Sequence, residues 1–133
     1  MIVAVADTHA VIWYLFGDPR LSTPAKQVFD EAANGGNTIG LSSITLAEIV
    51  YLAEKGRIPA STFERIIAEL NRTDGVLVEL PIDRNIITAL ATTDRSSIPD
   101  LPDRLIAATA VWAGAPLITR DAKIQASGLT TIW

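Results

Sequence analysis

Short apolar segments alternate with segments of helical character along the whole chain, and this alternation restricts the fold more than any other feature. The apolar segments are rich in β-branched residues, which is typical of buried strands. They cover residues 2–6, 38–41, 76–80, 117–119 and 130–132. Helices are predicted between them, over residues 8–16, 23–34, 43–55, 61–70, 83–90 and 101–113, with a short one through Ile124. The pattern predicts a three-layer α/β/α domain with a central parallel sheet of about five strands.

Several helix ends carry capping signals. The segment Ser61-Thr62-Phe63-Glu64 matches a capping box, in which the first hydroxyl and the glutamate satisfy free N–H groups of the first turn. Asp83 is expected to cap the next helix, and Gly114 to end the helix over residues 101–113. Because the sequence has no linker-like segment and no internal repeat, residues 1–133 are expected to form a single domain.

Composition excludes several kinds of site. The chain has no cysteine, so it cannot hold a disulfide, a thiolate zinc site or a cysteine nucleophile. Its formal net charge of −4 is unlike that of domains that depend on phosphate contacts, so any nucleic-acid role must rest on local charge. The apolar start MIVAVA is too short for a signal peptide or a membrane span, and the expectation is a cytoplasmic protein without a membrane partner.

Four acidic residues follow predicted strands or lie near predicted helix starts: Asp7, Glu48, Asp103 and Asp121. Because the carboxyl ends of parallel strands share one edge of a sheet, these side chains are expected to gather in one crevice. Like charges held together repel one another and raise one another's pKa, which a hard divalent cation such as Mg²⁺ or Mn²⁺ relieves. The four acids therefore predict a metal site.

Each acid also has a purely structural interpretation. Asp7 and Asp121 are ordinary N-cap residues, and Thr45 to Glu48 matches a capping box. Asp100 and Asp103 lie one turn apart at a helix start, where the helix dipole favours anions. The expected common edge of all four acids, rather than any one of them, favours the metal site.

Four blocks follow one another along the sequence, VADTHAVIWYL, SSITLAEI, DLPDRLIAATA and LITRD, and a terminal TTIW comes after them. In this order and spacing they resemble the blocks of PIN-domain ribonucleases, in particular the toxins of VapBC-type toxin–antitoxin pairs. The family often has Asp-Pro-x-Asp-Arg, whereas this chain has Asp100-Leu101-Pro102-Asp103-Arg104, which shifts the proline by one position and keeps both acids.

The resemblance implies a PIN-like fold and a metal-dependent endoribonuclease that acts as the toxin of a toxin–antitoxin pair. Mg²⁺ or Mn²⁺ would be held by the acidic quartet, with Asp7 and Asp103 as direct ligands. Glu48 and Asp121 would bind through water, bind a second ion or orient the attacking water. Asp100 is an additional acid beside them. The implied partners are an RNA substrate and a cognate antitoxin, and the implied assembly is a homodimer or a toxin–antitoxin hetero-oligomer.

Other polar residues adjoin the four acids. Thr8 and Thr119 could hold a carboxylate or a metal-coordinated water, or could only cap helices and end strands. Arg104 and Arg120 could contact phosphate oxygens or only balance charge. His9 is the only histidine, and a role in the helix is favoured over a role as general base.

A run of large apolar residues at 13–16, Trp-Tyr-Leu-Phe, is too wide for one buried helix face. With Ile44, Leu46, Tyr51 and Leu52 it predicts a hydrophobic groove that leads to the metal site. An antitoxin helix could lie in this groove and place an arginine among the carboxylates.

Two other functions fit parts of the pattern. A Mg²⁺-dependent phosphohydrolase would use Asp7 as nucleophile, but it normally needs a second acid two residues later, where this chain has His9. A non-catalytic protein-binding module would use the four acids only as caps and the apolar surface as its interface.

Overall fold

The computed structural model describes all 133 residues and contains five strands and seven helices. The first half of the chain has β1 (Ile2–Ala6), α1 (Thr8–Leu15), α2 (Thr23–Asn34), β2 (Thr38–Ser42), α3 (Ser43–Glu54) and α4 (Thr62–Leu70). The second half has β3 (Leu77–Leu80), α5 (Arg84–Thr92), α6 (Leu101–Ala113), β4 (Leu117–Ile118), α7 (Ala122–Gln125) and β5 (Thr131–Ile132). All the predicted strands and helices are present, within a few residues of the expected bounds.

The strands form one parallel sheet in the order β3-β2-β1-β4-β5. The chain therefore adds β2 and β3 on one side of β1 and then returns to add β4 and β5 on the other. The direction of winding reverses between β1 and β4. In open parallel sheets, such a switch point opens a crevice at the carboxyl ends of the two strands. The residues that follow β1 and β4 thus lie at the mouth of this crevice.

Helices cover both faces of the sheet, and each face has its own apolar core. Successive residues of β1 point to opposite faces, so Ala4 and Ala6 belong to the larger core while Val5 belongs to the smaller one. Phe29 and Ile66 pack in the larger core, on the side of α1 to α4. Ile106 of α6 packs in the smaller core. This arrangement confirms the predicted three-layer α/β/α architecture.

The helix ends follow the predicted signals with one exception. Asp83 accepts hydrogen bonds from the N–H groups of Asn85 and Ile86, and Gly114 ends α6 in the left-handed region at φ 62°. The capping box predicted at residues 61–64 is wrong, because Ser61 has a helical backbone conformation and makes no side-chain cap bond. The Thr62 hydroxyl instead donates to the carbonyl oxygen of Pro59 at 2.7 Å.

None of the seven helices has both the length and the apolar character that a membrane crossing would require.

Candidate functional site

A cavity of about 420 Å³ opens at the carboxyl edge of the sheet, at the switch point between β1 and β4. Its lining consists of Asp7, Thr8, His9, Trp13, Glu48, Asp100, Asp103, Ile106, Arg120 and Asp121. The structure thus brings all four predicted acids together, along with the additional acid Asp100. They come from the ends of β1 and β4 and from helices α3 and α6.

Asp7 and Asp121 line the cavity and cap helices at the same time. A carboxylate oxygen of Asp7 accepts the Ala10 N–H at 2.9 Å, and one of Asp121 accepts the Ile124 N–H at 3.0 Å. The backbone N–H of Asp7 donates to the carbonyl oxygen of Ile118 at 3.0 Å, which ties the end of β1 to the end of β4. The cap bonds fix both carboxylates at the cavity wall and leave each with a second oxygen.

Glu48 reaches the cavity from the second turn of α3, so its expected place near a helix start is wrong, and the structure also rules out the alternative interpretation of it as part of a capping box. It does not lie at a helix start, and the capping box over residues 45–48 does not form, because α3 begins at Ser43. Ser42 is the N-cap, and its hydroxyl accepts the Ile44 N–H at 3.2 Å. Capping therefore gives no reason for a glutamate at position 48.

Two buried threonines orient the Glu48 carboxylate. The Thr8 hydroxyl donates to Oε1 of Glu48 at 2.6 Å and lies 3.1 Å from the Thr45 hydroxyl. Because the single hydroxyl proton of Thr8 goes to Glu48, the bond between the two threonines must be donated by Thr45. Sequence reasoning named Thr8 for this role but considered Thr45 only as part of a capping box. The available signal was its spacing, since Thr45 precedes Glu48 by three residues on one face of a helix.

Asp100 and Asp103 enter the cavity from the start of α6. Asp100 is the N-cap, and its carboxylate accepts the Asp103 N–H at 3.0 Å. Pro102 occupies the first turn, where an N–H group has no partner within the helix. The shifted proline is therefore compatible with the cap, and it leaves Asp100 and Asp103 side by side at the cavity.

The acids at the cavity disfavour one another's ionisation. Partial burial, followed by the charges of Asp100, Asp121, Glu48 and Asp7, raises the pKa of Asp103 from 3.8 to about 6. Burial also raises the pKa of Asp7, and the Thr119 side chain and the Ala10 N–H partly offset that rise. Burial raises the pKa of Glu48 against the opposing effect of the Thr8 hydroxyl.

Protein cations do not neutralise these carboxylates. The ion pairs of the structure are Arg20–Asp18, Lys26–Asp30, Arg72–Glu69 and Arg72–Asp74, all outside the cavity. Arg120 and His9 line the cavity but form no salt bridge with its acids. Arg104, for which a phosphate contact and local charge balance were both left open, does not line the cavity. Its guanidinium donates to the carbonyl oxygen of Leu90 at 3.1 Å and to the Thr93 hydroxyl at 3.3 Å, at the end of α5.

The donor set suits a hard divalent cation. Carboxylate and hydroxyl oxygens are the ligands that Mg²⁺ and Mn²⁺ prefer, and cysteine is absent. The structure contains no group of three or more histidine or acidic side chains that lie close enough together to hold a metal ion as they stand. The cavity thus has ligands of the right kind on its walls, without a preformed coordination shell. An ion would have to draw them inward, and relief of their mutual repulsion would favour that step.

The apolar groove predicted at residues 13–16 is only partly present. Trp13 is buried, with 3% of its surface exposed, and forms part of the cavity wall instead. Tyr14 is partly buried and stacks on Phe29 at 4.2 Å between ring centroids. Phe16 and Tyr51 are exposed, at 37% and 56%. Ile44, Leu46 and Leu52 are partly buried and pack against the cores.

Comparisons with known proteins agree with this fold. A family model described as the PIN domain matches residues 4–127. The chain is 31% identical over 130 residues to Ribonuclease VapC22 of Mycobacterium tuberculosis (strain ATCC 25618 / H37Rv), which covers 94% of this chain and 92% of that protein.

Solved structures with the same fold come from several bacteria. A toxin–antitoxin complex from Klebsiella pneumoniae aligns with a TM-score of 0.68 and 26% identity, over 98% of this chain and 96% of the other. VapBC2 from Rickettsia felis, bound to a DNA fragment from its promoter, aligns with a TM-score of 0.70 and 20% identity over 96% and 94%. FitAcB from Neisseria gonorrhoeae aligns with a TM-score of 0.63 and 20% identity over 97% and 96%.

Proposed function

The chain belongs to the PIN domain family, as its sequence blocks predicted, and on this basis we propose that it is a metal-dependent endoribonuclease that acts as the toxin of a toxin–antitoxin pair in the cytoplasm. The observation that carries the proposal is the cavity at the β1–β4 switch point. It gathers five carboxylates and gives none of them a salt-bridge partner within the protein. Uncompensated carboxylates of this kind are costly unless a cation joins them.

Asp7, Glu48, Asp103 and Asp121 are the residues that would hold Mg²⁺ or Mn²⁺, with Asp7 and Asp103 as the direct ligands. The chemistry that such an ion supplies is activation of water and neutralisation of the charge that builds up on a phosphodiester during hydrolysis. Because the acids would otherwise repel the substrate, their charge must be compensated before RNA can approach.

Hydrogen bonds already fix three of these side chains. The cap bonds hold Asp7 and Asp121 at the ends of β1 and β4, and Thr8 holds Glu48. Because these side chains are already held in place, less conformational entropy is lost when they bind an ion. Asp103 supplies a different property. Because its pKa is about 6, a fraction of the molecules carry a proton on Asp103 near neutral pH, and cation binding would displace that proton. Cation binding should therefore weaken as pH falls.

The proposed partners follow from the relatives. The Klebsiella structure is described as a toxin–antitoxin complex. We therefore propose a cognate antitoxin as protein partner and RNA as substrate. We also propose a homodimer, in which two-fold pairing would set two acidic cavities side by side.

Cleavage assays with matched variants test this function. The purified chain should cleave RNA in the presence of Mg²⁺ or Mn²⁺, and EDTA should abolish the cleavage. Asp7→Asn and Asp103→Asn should each lose about 10²-fold or more in rate, the effect expected when a charge-stabilising group is removed. Asp83→Asn is the control, since Asp83 is also a helix cap but lies outside the cavity. Full activity of both cavity variants would refute the proposal.

The two rival functions have less support. Phosphohydrolase chemistry at Asp7 would need an acid at position 9, where this chain has His9. If that chemistry took place, mass spectrometry would detect a phosphorylated Asp7. A purely structural role for the acids fails at Glu48, because that residue caps no helix. A calorimetric titration with Mn²⁺ that shows no binding would favour the non-catalytic module.

A further inference from the structure

Arg120 carries the only guanidinium in the cavity lining, and no carboxylate forms an ion pair with it. It is exposed, forms no salt bridge despite the nearby carboxylates, and donates no hydrogen bond within the protein. A guanidinium carries several N–H donors in a planar fork that matches two oxygens of a phosphate or carboxylate. Free donors of this kind at a cavity edge point to an anionic ligand.

The ring of Trp13 supports this guanidinium. The central carbon of Arg120 lies 4.6 Å from the ring centroid, within the range of a cation–π contact. Trp13 is itself fixed, since it is buried and its ring packs against those of His9 at 5.6 Å and Trp133 at 5.8 Å between centroids. A buried ring is a rigid support that restrains the guanidinium without using its N–H groups.

Arg20 provides an internal comparison. Its guanidinium also lies over the Trp13 ring, at 5.1 Å from the centroid. One edge of its guanidinium is occupied, however, because Nε and Nη2 donate to the two oxygens of Asp18 at 3.1 and 2.7 Å, and its charge is paired with that carboxylate. The two arginines therefore share one aromatic support, but only Arg120 has all its side-chain donors free and no carboxylate paired with its charge.

We propose that Arg120, positioned by Trp13, binds a phosphate of the RNA backbone next to the bond that is cut. The inference rests on the proposed ribonuclease function and adds a substrate-binding residue and a direction of approach to it. The RNA would cross the Trp13 side of the cavity. A cation at this edge offsets the repulsion that five carboxylates and a net charge of −4 impose on a polyanion. The contact would be independent of base sequence, as phosphate contacts are.

The test compares Arg120→Gln with Arg20→Gln in the Asp7→Asn background, which slows loss of the probe by cleavage. Binding of a short fluorescein-labelled single-stranded RNA is measured with Mn²⁺ at several salt concentrations. Arg120→Gln should weaken binding about tenfold, as expected for a charge-assisted hydrogen bond. It should also lower the slope of log affinity against log salt by about 0.7, the value for one phosphate contact on a single strand. Arg20→Gln should change neither quantity.

A double-mutant cycle tests the positioning role of Trp13. Trp13→Leu should weaken RNA binding when Arg120 is present and have little further effect in Arg120→Gln, whereas general damage to the fold would add in both backgrounds. Arg120→Lys should keep most of the salt slope, because it keeps the charge.

Equal binding by the Arg120→Gln and Arg20→Gln chains would overturn the inference and leave the ribonuclease function standing, provided that the unmodified chain cleaves RNA. An unmodified chain that neither binds nor cleaves RNA would overturn both. Additive effects in the double-mutant cycle would overturn the role of Trp13.

Discussion

The hydroxyl group of Thr8 donates a hydrogen bond of 2.6 Å to a carboxylate oxygen of Glu48, although the two residues are 40 positions apart in the sequence. This bond joins the first turn of α1 to the second turn of α3, directly beside Asp7. The carboxylate of Glu48 is therefore aimed into the cavity by a residue that cannot be ionised.

Replacement of Thr8 by valine keeps its shape and removes this bond. Because hydrogen bonds to charged groups contribute about 1.5–3 kcal/mol, we expect the Thr8→Val chain to cleave RNA about tenfold more slowly or worse. Thr8→Ser, which keeps the hydroxyl, should retain most of the rate. The measurement is kcat and KM on one RNA, with thermal unfolding to confirm the fold. Equal rates for the valine and serine variants would contradict a role for the bond.

The raised pKa of Asp103 predicts how stability depends on pH in the metal-free chain. Between 3.8 and about 6 the folded chain keeps a proton on Asp103 that the unfolded chain has released. This group therefore stabilises the fold at low pH, and its contribution is lost as pH rises through about 6. Denaturant unfolding in EDTA at several pH values would measure the loss.

Asp103→Asn should remove this loss. We expect its free energy of unfolding at pH 7 in EDTA to equal or exceed that of the unmodified chain, by about 1 kcal/mol once solvent screening of this half-buried group is allowed for. The exposed cap residue Asp83, as Asp83→Asn, is the control. A clear loss of stability in Asp103→Asn at pH 7 would mean that the carboxylate serves the helix start rather than a metal.

Local signals account for what the sequence predicted well. The cap at Asp7 and the left-handed end at Gly114 each act on residues within one helical turn, so a short window contains all the relevant information. The parallel direction of the strands follows from the helical connections between them. Because the carboxyl ends of parallel strands share one edge of the sheet, the edge that gathers the acids follows as well.

The errors lie where neighbours distant in sequence decide the outcome. Residues 45–48 match a capping box, but α3 begins at Ser43 as predicted and Ser42 at the end of β2 is its cap, so this interpretation of Glu48 is wrong. Trp13 was expected at a groove, but His9 and Trp133 pack against it and bury it. Arg104, for which a phosphate contact and charge balance were both left open, turns towards the end of α5. Side-chain directions of this kind depend on tertiary contacts that periodicity does not encode.

The position of Arg104 predicts a structural role. It donates to the Leu90 carbonyl and the Thr93 hydroxyl at the end of α5, and so ties α5 to the start of α6. Arg104→Met keeps most of the apolar stem and removes these bonds, and we expect a loss of about 1–2 kcal/mol in the free energy of unfolding. Arg95→Met is the control, since Arg95 is exposed in the loop nearby.

The salt dependence of RNA binding should be the same in Arg104→Met as in the unmodified chain, because this guanidinium does not line the cavity. A smaller salt slope without a loss of stability would instead support the phosphate contact, one of the two roles that the sequence left open for Arg104.

The exposed apolar residues of α1 and α3 predict where an antitoxin binds. Phe16 follows α1, and Tyr51 and Val50 lie on α3, which packs against α1 and also carries Glu48. An amphipathic antitoxin helix could cover this surface and place an arginine among the carboxylates, in competition with the metal. In such an arrangement the apolar contacts supply most of the affinity, and the arginine blocks the site.

Truncation of the exposed rings should therefore separate binding from catalysis. We expect Tyr51→Ala or Phe16→Ala to weaken the complex with the proposed cognate antitoxin by about 2 kcal/mol or more, while RNA cleavage stays largely intact. Trp112→Ala is the matched control, because Trp112 is equally exposed but lies at the far end of α6 from Asp103. Calorimetry and cleavage assays on the same preparations would decide. If both variants bind as tightly as the control, the antitoxin uses another surface.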